Sequence, residues 1–110
     1  MQLGLFTPVF GRLPLDAMLV ELKRYPQVKM LEIGTVGWPG ASHIDVEGML
    51  ANRDQAREYC EKINDAGLTI SARSCHGNPL HPQEKIAKRD DEIFRRTVKL
   101  LSPDSERIAI

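Results

Sequence analysis

Apolar residues along this chain follow two alternating rhythms: short unbroken runs, and longer stretches in which they recur at every third or fourth position. Residues 2–6 (QLGLF) form the first short run, and residues 7–14 follow with two prolines and a glycine, which reads as a strand and then a loop. Leu15, Met18, Leu19, Leu22 and Tyr25 then share one helical face, with Pro14 suited to the first turn and Pro26 closing the segment. Residues 29–33 (KMLEI) predict a second strand ended by Gly34, and residues 34–45 a long loop. Ala56, Tyr59, Cys60, Ile63 and Ala66 mark a second helix, with Gly67 as its C-terminal cap. A third strand over residues 68–74 gains β-branched character from Thr69 and Ile70. After the turn-rich CHGNPLHP (75–82), Pro82 opens a third helix with an apolar face of Ile86, Ile93, Phe94, Val98 and Leu101. Residues 102–105 break it, and residues 107–110 begin a fourth strand.

The predicted order is βαβαβαβ. Strands alternating with helices imply parallel strands joined by right-handed crossovers, so residues 1–110 read as one α/β domain. Order alone does not separate a doubly wound sheet from a barrel segment. Neither GxGxxG after the first strand nor GxxxxGK[ST] occurs, which removes the usual signal for dinucleotides and nucleoside triphosphates.

Charge narrows the partners. Fifteen basic residues balance fifteen acidic ones, whereas a nucleic-acid-binding domain ordinarily shows a basic surplus or stripe. No apolar run approaches the roughly 18–20 residues that span a bilayer, and the N-terminus lacks the basic region and cleavage site of a secretory signal. Cys60 and Cys75 form neither a CxxC pair nor a disulfide framework, and a reducing, cytoplasmic setting is the expectation. Cys60 reads as a small buried hydrophobe.

Chemistry in parallel α/β folds gathers at the C-terminal strand ends. Here those ends carry Phe6 and Thr7, Glu32 to Gly34, and Ser74 to His76. His76, directly before Gly77, could bind a metal, a hydroxyl or a proton. Glu32 ends an apolar strand, where a carboxylate is costly unless it faces a cleft or a partner. Trp38 could give an apolar wall to a sugar ring, and Asn78 could bond a polyol, although G-N-P also suits a turn. His81 reads as a helix-entry residue, His43 as a loop residue, and Asp90 with Asp91 as a solvated pair bonded to Lys88, Arg95 or Arg96. HExxH and nucleophile-elbow patterns are missing.

Three stretches, LGLFTPVFGRLPL (3–15), LEIGTVGWPG (31–40) and LTISARSCHGNPLHP (68–82), resemble the sugar phosphate isomerase/epimerase family. That family belongs to the xylose-isomerase-like TIM barrels, a group that also contains endonuclease-IV-type proteins. The resemblance implies a (β/α)8 fold, a divalent metal (Mn, Mg, Co or Zn), and proton transfer on a ketose or polyol-like sugar or sugar phosphate. The epimerase-type ligand set of two glutamates, an aspartate and a histidine comes from the second half of such a barrel, so none of it carries over. What carries over is the rim of the first half, Glu32 at the second strand end and His76 at the third; together with Trp38 and Asn78 from the residue reading, these are the substrate-binding candidates. His76 is also the one candidate metal ligand, by likeness to branches with a histidine at the third strand end. A barrel needs about 200–250 residues, so the chain is expected to be the first three to four βα units, with no metal bound and no catalysis of its own. Metal-dependent phosphoester hydrolysis and a non-catalytic half-barrel are the alternatives, and exposed sheet edges predict self-association.

Overall fold

A computed structural model describes residues 1–37 and 41–100 of the chain. Three strands, β1 (Leu3–Phe6), β2 (Val28–Gly37) and β3 (Thr69–His76), form one parallel sheet in the order β1-β2-β3. A 3-10 turn over Thr7–Phe10 follows β1. The helices are α1 (Leu15–Leu22), α2 (Val46–Ala51), α3 (Arg53–Asp65) and α4 (Glu84–Leu100). The α/β class and the parallel pairing agree with the sequence pattern. The fourth strand expected over 107–110 lies outside the described residues. Among the described residues no helix is long and apolar enough to cross a membrane.

The sheet has two unlike faces. Leu5, Leu31, Ile33 and Ile70 face a core completed by Met18, Leu19 and Leu22 of α1, Met49 of α2, Tyr59 and Ile63 of α3, and Leu100 of α4. Register sets the opposite row: Gly4 pairs with Met30, Phe6 with Glu32, Glu32 with Ala72, and Gly34 with Ser74. Alternation places those residues on the other face, and none of them belongs to the core cluster. The apolar helices are therefore spent on one side, and the second face is left to small, polar and half-buried residues.

Local chemistry fixes the ends of the elements. Asp45 caps α2 by accepting the Gly48 N–H at 3.0 Å, and Asn52 caps α3 by accepting the Asp54 N–H at 3.0 Å. Gly67 ends the α3 unit at φ +78°, a left-handed position that favours glycine. Its N–H donates to the Asn64 carbonyl at 2.9 Å and the Leu68 N–H to the Ile63 carbonyl at 3.2 Å, a Schellman pattern that turns the chain into β3.

Several expectations need correction. Strand β2 runs on to Gly37 where a loop was expected from Gly34, because β3 continues beside it, pairing Gly34 with Ser74, Val36 with Cys75 and Gly37 with His76. On the other side the fully buried Thr7 accepts the Gly34 N–H at 3.2 Å. Helix α2 was missed, being six residues with an internal glycine and no periodicity. Phe94 and Val98, expected in the core, are 50% and 42% exposed, and the buried face of α4 carries Thr97 and Leu100 instead. Tyr25 and Ala66 are exposed as well.

Candidate functional site

The C-terminal strand ends bring Glu32, Ser74 and His76 onto the open face. Ser74 on β3 donates its hydroxyl to the Glu32 carboxylate on β2. That bond answers the cost of a carboxylate at the end of an apolar strand, and it fixes one oxygen while the half-buried side chain still meets solvent. His76 is exposed, and its ring lies 5.7 Å from the Phe6 ring, tilted by 57°. Phe6 is on β1 and His76 on β3, so the pair leans across β2. Gly34 follows Glu32 on the open-face row of β2, paired with Ser74.

A polar layer beneath braces this rim. Thr35 donates to the Ser74 carbonyl at 2.9 Å, and Thr97 of α4 donates back to the Ile93 carbonyl at 3.1 Å while lying 3.4 Å from the Thr35 hydroxyl. Thr35 and Thr97 are each 3% exposed, so these bonds are made away from water. The Cys75 thiol belongs to the same group: burial pushes its pKa up, and hydrogen bonds with Thr97 and Thr35 partly offset that. Sequence reasoning placed Ser74 at a strand end without its partner and missed Thr35 and Thr97, because a hydroxyl in a strand or helix carries no local signature of its partner.

The loop after β3 is clamped to α4. Asp90 accepts the Asn78 N–H at 2.7 Å and pairs with Arg89 at 3.0 Å. The Asn78 backbone bond, and then Arg89, hold the Asp90 carboxyl below the usual carboxylate range. A Cβ on Gly77 would meet the Asp90 Cβ at 3.0 Å, so glycine permits the close approach. This corrects the reading of Asp90 as a solvated surface charge, whereas Asp91 does pair with Arg95, at 2.8 Å. The Asn78 side chain accepts the Leu80 N–H at 3.1 Å and so makes the turn, and His81 Nδ1 accepts the Gln83 N–H at 3.0 Å at the entry to α4. His43 is 3% exposed with Nε2 at 3.1 Å from the Phe10 carbonyl; since a carbonyl only accepts, that nitrogen is the donor. It anchors a loop and faces no rim. Trp38 lies outside the described residues.

The chain is 30% identical over 100 residues to "Uncharacterized protein YfiH" of Bacillus subtilis (strain 168), a match that takes in 91% of this chain and 31% of that protein. It thus spans about a third of the length of the relative it matches. No family model matches the chain.

Among the described residues, no group of three or more His, Cys, Asp or Glu side chains is placed to hold a metal ion. The divalent metal implied by the resemblance does not fit this residue set alone, since Glu32 and His76 are two donors where such a site takes more.

Proposed function

We propose that this chain forms the substrate rim of a sugar or sugar phosphate isomerase/epimerase of the xylose-isomerase-like barrel type. The observation that carries the reading is the open face: Glu32, held by Ser74, and His76 in tilted ring contact with Phe6, at the C-terminal ends of parallel strands whose helices are committed to the other side. A barrel of this kind turns one sheet face inward and clothes the other with helices. The sequential order β1-β2-β3 agrees with a sheet wound in one direction.

On this reading Glu32 accepts hydrogen bonds from substrate hydroxyls through the oxygen that Ser74 leaves free. His76 donates to or accepts from an adjacent hydroxyl, and Phe6 holds the imidazole in place from behind. Asn78 shapes the rim through its turn more than by direct contact. Proton transfer beside a carbonyl is the chemistry of the larger protein, and these residues bind and orient.

Trp38, the single tryptophan, sits one residue beyond β2 in sequence and is a built-in reporter. Titrating the chain with a ketohexose, its 6-phosphate and inorganic phosphate is expected to give a saturable fluorescence change with the sugars at millimolar concentration. Glu32→Gln and His76→Ala should each weaken binding about five- to tenfold, the worth of one hydrogen bond to a polar partner. Sugars that leave the signal flat, or affinities indifferent to both substitutions, would remove the basis of the proposal.

A further inference from the structure

The rim does not account for Arg73. It points from β3 to the helix side, paired in register with Ile33, and is 5% exposed. Its Nε and Nη1 groups find no hydrogen-bond partner, and no carboxylate among the described residues makes an ion pair with it. The remaining nitrogen, Nη2, points at Cys60 Sγ on α3, 3.9 Å away. A buried guanidinium with no counter-charge is expensive, and the surrounding groups have to supply one.

Two neighbours are ionisable. Burial pushes the Tyr59 phenol far above its ordinary value, so it stays neutral at physiological pH. Cys60 is left. Burial disfavours the Arg73 cation, and Cys60 first, then Tyr59, counter that. Several charges on the packed elements are committed to one another: Arg57 lies 3.7 Å from Asp54, Lys62 meets Asp16 of α1 at 3.0 Å, and Glu47 of α2 meets Arg96 of α4 at 2.6 Å. Cys60 is only half-buried, and a contacting cation favours the ionised form of a thiol. The residue packs on the edge of the core and keeps part of its surface in solvent.

We propose that Cys60 is a reactive nucleophile, held as a thiolate by Arg73, and a site of modification by soft electrophiles and low-molecular-weight disulfides. With a disulfide, the Cys60 sulfur attacks one sulfur atom and forms a mixed disulfide. The other half leaves as a thiolate and takes a proton from water, so no further oxidant is required. This site is independent of the sugar reading and lies on the opposite side of the sheet from the rim.

Cys75 is the internal control, because burial pushes its thiol the other way. Iodoacetamide labelling of the whole chain between pH 5 and 10, read at each cysteine by peptide mass spectrometry, should give Cys60 a midpoint below the ordinary thiol value of about 8.5. At pH 7 Cys60 should label about tenfold faster than Cys75. Arg73→Met should raise the Cys60 midpoint to the ordinary value or above, and Arg73→Lys should restore part of the shift. A native Cys60 midpoint at or above the ordinary value overturns the proposal, even if Arg73→Met fails to fold. So does a folded Arg73→Met chain with an unchanged profile.

Discussion

Asp90 shows how one side chain can govern a loop. Its carboxylate takes the Asn78 N–H, and its depressed pKa means that this bond favours the ionised form. A carboxyl lowered on folding contributes stability that is fully present above the ordinary aspartate range and is lost as pH falls through the lower folded value. The Asn78 amide proton shift is therefore expected to titrate with a midpoint below about 3.9. In Asp90→Ala, hydrogen exchange at Asn78 and Leu80 should quicken while the core amides keep their protection. A midpoint at or above the ordinary value would mean that the clamp is not made in solution. At this scale the sequence was partly legible. Asn78 announced its turn through G-N-P and His81 its helix entry through the following proline, because both bond within two residues. Asp90, His43, Ser74 and Arg73 find their partners across 12 to 42 positions, and no local pattern encodes such a contact.

Helix α4 is the element on which periodicity misled most. Its apolar residues suggest a face through Phe94 and Val98, but the buried row carries Thr97 and Leu100. Thr97 fits there because its hydroxyl is satisfied by the Ile93 carbonyl and the Thr35 hydroxyl, and a count of apolar positions cannot credit a satisfied polar group. Phe94→Ser should accordingly change stability by less than about 1 kcal/mol, whereas Leu100→Ala should cost about 2–4 kcal/mol in chemical denaturation. The reverse ranking would place the core face where the apolar count puts it. Strong capping signals fared better: Gly67 was legible as a C-cap because the left-handed geometry selects glycine. The six-residue α2 lacked periodicity, and its one readable signal was the Asp45 cap three residues before Gly48.

For the molecule as a whole, the parallel α/β arrangement followed from the alternation of strand and helix, while the contrast between the sheet faces became visible only with the register. Strands β1 and β3 border the described sheet, and Phe6 and Met30 lie half-buried outside the core. Such edges and faces favour association. Light scattering coupled to size-exclusion chromatography should show a mass that grows with concentration; a stable monomer at all concentrations would mean that the face is tolerated in water. The substrate-rim claim is tested most directly by mapping backbone amide shifts of the labelled chain during titration with a ketohexose 6-phosphate. Perturbations are expected at Phe6, Glu32, Ser74 and His76 and should weaken in Glu32→Gln. Perturbations confined to the helix side, or none at saturating sugar, would contradict the account.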